Sequence, residues 1–272
     1  MKFAICNEMF EDWDFAAVCR CAADIGYEGL EIAPFTLADD VRTLSSARRW
    51  ELRQIAADQG LEVVGLHWLL VKPEGLGINH PDENVRRRTQ EYLKALAEFC
   101  RDLGGQVMVF GSPKQRNVWE GESYQATWQR TVEALRACLP TFEACGVTLC
   151  WEPLPAGETN FINTKDEAVR LIEEINHPRV RLHLDVKAMF AAETKPLPQV
   201  IEEAAPYLGH VHANDPNRLG PGMGAADLRP LAAALRKIGY QGYVSVEVFD
   251  FTPGPERIAQ ESFAYLQEVF AR

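Results

Sequence analysis

The chain has no CxxC pair among its seven cysteines, no Ser- or Pro-rich linker, no run of about 18 apolar residues and no basic footprint. Each absence removes a class of protein. Without CxxC there is no zinc-ribbon or thioredoxin-type motif. Cys6, Cys19, Cys21, Cys100, Cys138 and Cys150 instead read as core thiols of a reducing cytosol. The opening "MKFAICNEMFEDWDF" is broken early by Glu8, Glu11, Asp12 and Asp14, which does not suit a signal segment. A cytoplasmic protein with no membrane partner is expected. The formal net charge of −11 and only six histidines argue against nucleic acid, which needs a cationic face. The short basic cluster Arg86–Arg88 reads as the solvated side of a helix. Glycine-rich G-x-G-x-x-G spacing is also missing. The one glycine-rich stretch, "RLGPGMG", trails a strand by several residues and reads as a loop shaping a pocket rim.

What is present is alternation. The chain is 272 residues long and 47% hydrophobic, enough for a large core. Strand-like apolar runs occur at Lys2–Cys6, Gly29–Ala33, Glu62–His67, Gln106–Gly111, Val147–Glu152, Val180–Asp185, Gly209–Asn214 and Tyr243–Phe249. Helical patterns separate them. "DENVRRRTQEYLKALAEFCRDLGG" carries Val85, Tyr92, Leu93, Leu96, Phe99 and Leu103 at helical spacing. Ser45 or Ser46 is placed to cap a helix, and Thr164 with Glu167 spells a capping box. Later helices are expected near Tyr124, Thr164, Leu197, Asp227 and Glu256. Eight strand–helix units in this length predict an α/β fold, a (β/α)₈ TIM barrel forming a single domain over residues 1–272. The competing open doubly wound sheet wants a glycine-rich loop after its first strand, and "ICNEMFEDWD" has none.

Four of these strands carry a metal-capable side chain near the C-terminal end: Glu152 in "VTLCWEP", Asp185 in "VRLHLDV", His212 in "LGHVHAND" and Glu247 in "VSVEVFD". A buried charge without a partner is costly, so such residues are usually paired or metal-bound. Alternation turns Cys150, His183, His210 and Ser245 to the same inward side, and leaves Leu149, Trp151, Leu182, Leu184, Gly209, Val211, Val244, Val246 and Val248 for the helix-covered face. The four polar groups therefore collect at the C-terminal mouth, on consecutive strands, where barrel active sites lie. Three carboxylates and one imidazole form a hard donor set. It favours one divalent ion, Mn²⁺ or Mg²⁺, with Co²⁺ tolerated, over structural zinc.

At these residues the sequence resembles the xylose isomerase-like TIM barrels, the sugar phosphate isomerase/epimerase group, over essentially the whole chain. The nearest pattern is that of the ketose 3-epimerases of tagatose and psicose type. The resemblance implies that Glu152, Asp185, His212 and Glu247 hold the ion, and that Glu152 and Glu247 also act as catalytic acid and base. It implies Glu158 and Arg218 as substrate-binding residues, and a homo-oligomer, since dimers or tetramers are frequent among similar epimerases. One position departs from the pattern. Where those epimerases carry a substrate-binding His three residues after the Asp ligand, this chain has Ala188, with Lys187 beside it.

The expected activity is a divalent-metal-dependent sugar isomerase or epimerase, moving a proton through a metal-held enediolate of a small carbohydrate substrate. The alternative on the same site is a lyase or dehydratase acting on an oxidised sugar, a 3-oxo-glycoside or a cyclic keto-acid. An endonuclease-like repair enzyme would need more histidines and a basic face. A non-catalytic sugar-binding barrel is the remaining reading. His67, Lys187 and Lys114 stand near strand ends as further substrate-binding candidates, and Trp68, Trp119 and Phe249 as rings that could stack on a sugar.

Overall fold

The computed structural model describes residues 1–270. Eight parallel strands close into one barrel in chain order: β1 (Lys2–Cys6), β2 (Gly29–Ile32), β3 (Glu62–Leu66), β4 (Val107–Phe110), β5 (Thr148–Trp151), β6 (Val180–Asp185), β7 (Leu208–Ala213) and β8 (Tyr243–Val246). β1 pairs with β8 to shut the ring, through Phe3 opposite Val244 and Ile5 opposite Val246. Among the described residues nine α-helices surround it: α1 (Phe15–Ile25), α2 (Ser46–Asp58), α3 (Glu83–Leu103), α4 (Tyr124–Cys145), α5 (Lys165–Ile175), α6 (Val186–Ala192), α7 (Leu197–Ala204), α8 (Arg229–Lys237) and α9 (Pro255–Phe270). The sequence pattern placed one helix between β6 and β7, near Leu197; the structure has two, α6 directly after β6 and α7 behind Pro196.

Local chemistry sets the helix ends. Ser45 caps α2 by accepting from Arg48 N–H. Thr164 and Glu167 form the reciprocal capping box of α5. Such caps contribute about 1 kcal/mol each. All six of the apolar α3 residues read from the sequence are buried, which is why a helix with an otherwise charged surface docks here.

Most strands stop one to three residues before the expected boundary. His67, Glu152 and Glu247 lie just beyond their strands. Their N–H groups still bond the neighbouring strand, to Ile32 O, Phe110 O and Ala213 O, while the chain turns away. Side chains there are placed by the sheet but released from it.

The interior departs from the layers of branched aliphatics usual in such barrels. Cys6, Glu31, Cys150, His183, His210, His212 and Ser245 are all buried within it. Gly209 was expected on the outer face and is not. It is the extra residue of a bulge between β6 and β7, and a Cβ there would meet Cys150 Sγ at 2.7 Å and Arg181 Cβ at 2.8 Å. The bulge turns position 209 inward, and only hydrogen fits.

Candidate active site

The four residues at the ends of β5–β8 are buried at the C-terminal mouth. Ligand atoms of Asp185, His212 and Glu247 lie within 4.8 Å of one another. Glu152 stands outside that triad but lines, with Glu247, one cleft of about 340 Å³. Gly111 makes room for it: a Cβ at 111 would lie 2.3 Å from Glu152 Oε2. A larger cleft, about 460 Å³, opens at the opposite end among Glu62, Gln106, Gly209 and Tyr243, and none of the four residues lines it.

Each group is oriented from behind. Asp185 accepts from Ala188 N–H and from Asn214 Nδ2, and Asn214 accepts from Lys187 N–H in turn. Glu247 is gripped at both oxygens, by Trp68 Nε1 at 2.6 Å and by His212 Nδ1 at 3.0 Å. His212 Nε2 meets Glu31 Oε1 at 2.9 Å, and the other Glu31 oxygen meets His210 Nε2 at 2.7 Å. With Glu31 taking the Nε2 proton, Nδ1 can present its lone pair to the mouth. Among the described residues the Glu152 carboxylate has no hydrogen-bond donor, although Arg116 Nη1 holds its backbone carbonyl at 2.5 Å.

The charge balance shows what this cluster lacks. Burial, then Glu247 and Asp185, push Glu152 well above the usual carboxylate range. Burial and Glu247 raise Asp185 to about 6. Burial would raise Glu247 too, but His212 overrides it and holds Glu247 low. Burial opposes charge on His212, and Glu31 with Glu247 lift it well above its ordinary value. Crowded carboxylates converging with one imidazole are the chemistry of a hard divalent-cation site, and the residues present fit one.

The remaining candidates scatter around the mouth. Lys114 and Glu158 line the cleft. Lys187 Nζ binds Glu158 Oε1 at 2.6 Å and sits 4.4 Å from the Phe249 ring centre. Lys114 is exposed and makes no ion pair among the described residues. Arg218 is exposed, held at φ +76° with Nη2 on Phe249 O, and lines a separate surface hollow with Glu11 and Asp250. His67 is fully buried, its Nε2 bound to Glu8 Oε2 at 2.6 Å. Trp68 stacks between Phe35 and Phe249 as a wall of the cleft. Trp119 is turned away, onto Asn79 and His80.

Sequence reasoning passed over Glu8, Glu31 and Arg116. Glu31 had the same signal as Glu247, an acid inside the apolar run "GLEIA", but it lies on β2, outside the last four strands. Glu8 follows β1 in "CNEMF" without any pattern around it.

Known proteins agree with this architecture. The family model described as "Xylose isomerase-like TIM barrel" matches residues 19–269. A D-psicose 3-epimerase of Enterocloster bolteae is 32% identical, across 88% of this chain and 79% of its own length. A 3-dehydro-D-guloside 4-epimerase of Escherichia coli is 26% identical, across 98% of this chain and 99% of its own. The crystal structure of D-psicose 3-epimerase with D-tagatose from Clostridium cellulolyticum H10 superposes with a TM-score of 0.86 at 26% identity, covering 99% of both chains. No described helix is long and apolar enough to cross a membrane. The fold, the mouth and these relatives together place the chain in the xylose isomerase-like TIM barrel family, as an enzyme of the sugar isomerase and epimerase type.

Proposed function

We propose that the protein is a divalent-metal-dependent epimerase of keto-sugars, with Glu152 and Glu247 as the proton-transferring pair. The observation that carries this is their placement: two buried carboxylates on one cleft, one held in a hydrogen-bonded frame and the other without a donor. Asp185, His212 and Glu247, with Glu152 across the cleft, would hold the ion; Mn²⁺ suits the donor set best. When bound, the ion polarises the substrate carbonyl and acidifies the neighbouring C–H.

Glu247 is the group held ionised by its neighbours, so it takes the proton from the carbon beside the carbonyl. Glu152, raised by burial and repulsion, is the group that carries a proton to the opposite face. Trp68 aims the Glu247 carboxylate and, with Phe249, offers flat apolar surface to a sugar ring. Lys187, Glu158 and Lys114 supply polar contacts at the rim, while buried His67 supports the wall through Glu8. Arg218 reaches substrate only by swinging from Phe249 O into the cleft. Seven free cysteines support work in a reducing compartment such as the cytoplasm.

A second substrate reading, a 3-keto-glycoside, is supported by two observations. The guloside epimerase matches over 98% of this chain and 99% of its own length. Ala188 also stands where ketose epimerases carry a substrate-binding His, as read above. Mn²⁺-loaded protein in D₂O, followed by NMR with ketohexoses and 3-keto-glycosides, tests both. Deuterium at the carbon beside the carbonyl, with epimer formation, is expected. Loss of water or aglycone instead would make it a lyase. No exchange with any keto-sugar, or equal turnover after chelation, would overturn the proposal.

A further inference from the structure

Beneath the mouth lies a group of side chains that serve the proposed reaction only as supports. Cys6 ends β1, Glu31 lies on β2 and His67 follows β3, on three adjacent strands. Their sulfur, oxygen and nitrogen donors lie within 4.8 Å of one another, and all three residues are at most 1% exposed.

His67 shows how the group is set up. Its Nε2 meets Glu8 Oε2 at 2.6 Å, which leaves no space for an ion between them. Its Nδ1 is buried, has no hydrogen-bond partner among the described residues, and lies 3.8 Å from Glu31 Oε1. That gap is too long for a hydrogen bond. Two ligands on one tetrahedral zinc, with arms of about 2.0–2.1 Å, sit roughly 3.4 Å apart. A carboxylate on the far nitrogen of a ligating histidine is the usual second partner of such sites.

We propose that Cys6 Sγ, Glu31 and His67 Nδ1 form a second metal site, inside the barrel, that takes a thiophilic divalent ion of the Zn²⁺ or Co²⁺ kind. The mouth is oxygen-rich and hard; this site carries sulfur and is softer, so the two select different ions. Binding releases the Cys6 thiol proton to solvent, since the thiolate is the ligand. The ion ties β1, β2 and β3 together and fixes the ring that holds Glu8. This site stands independently of the epimerase reading.

Chelator-stripped protein is titrated with Co²⁺, read by near-ultraviolet absorption and by metal analysis. Two cobalt ions per chain and an intense thiolate-to-cobalt band are expected. Cys6→Ser removes the band and one ion. Asp185→Asn keeps the band and loses the other ion, so failure at the mouth is distinguishable from failure here. X-ray absorption on zinc-loaded wild-type protein needs no variant, and a zinc–sulfur distance near 2.3 Å is expected. A single ion without sulfur in its shell, or a band that survives Cys6→Ser, overturns the proposal. Either would leave His67 as a buried imidazolium facing Glu8.

Discussion

Replacing Trp68 by Phe tests how the mouth works. The indole donates to Glu247 Oε1 at 2.6 Å while its ring lies 5.8 Å from Phe35 and 6.3 Å from Phe249, centre to centre. Phenylalanine keeps a ring in the stack and removes only the donor. A hydrogen bond to a charged acceptor contributes about 1.5–3 kcal/mol. If that bond is needed throughout proton transfer, kcat falls roughly ten- to hundredfold, at about 1.4 kcal/mol per decade. KM moves little because the wall persists. The pH profile separates two causes. Burial raises Glu247, and His212, His67 and Trp68 lower it, with Trp68 the weakest of these. Losing Trp68 therefore moves the acidic limb of kcat/KM upward only slightly, and misorientation lowers the whole plateau. The assay is kcat and kcat/KM against pH on metal-loaded enzyme. A plateau within twofold of the wild type would refute the idea that Trp68 aims the base.

Glu152→Gln and Glu247→Gln should each lower kcat by about 10²–10⁴. Glu152→Gln should leave the melting temperature of metal-free protein equal or higher, because this carboxylate has no donor and faces two other acids. Gly111→Ala puts a methyl where the Glu152 oxygen now lies, so activity should drop at least tenfold with circular dichroism unchanged. Metal affinity should weaken as pH falls through about 6. Asp185 is raised to about 6 and Glu152 is raised well above the usual carboxylate range, so as the pH falls protons compete for the ligand oxygens. The thermal shift on adding Mn²⁺ should thus be larger at pH 7.5 than at pH 5, and an equal shift at both would count against the assignment.

The barrel was legible because strand and helix periods alternate without interruption, and α3 and α5 carry unmistakable apolar and capping signals. The four mouth residues were legible because each is a polar group at the end of an apolar run. Their partners were harder to see. Glu31 reaches His212 and His210 across the barrel, and nothing in sequence separation encodes a contact between residues 181 positions apart. The inward turn of Gly209 depends on a bulge, which shifts parity by one residue and leaves no local signature. The Lys187–Glu158 pair joins α6 to the loop after β5, a geometry that only the closed barrel fixes.

The mouth draws its donors from the last half of the chain and two of its braces from the first: Glu31 from β2 and Trp68 from the turn after β3. Neither half owns the site. During synthesis, Glu247 leaves the ribosome last, long after Glu31 and Trp68 have emerged, and β8 must seal against β1 before any of them are aligned. A nascent or truncated chain that stops short of β8 therefore lacks Glu247 and the closed ring that the mouth site needs. A purified fragment lacking β8 should therefore fail to take up Mn²⁺ with the affinity of the full chain, and native affinity in such a fragment would refute this reading.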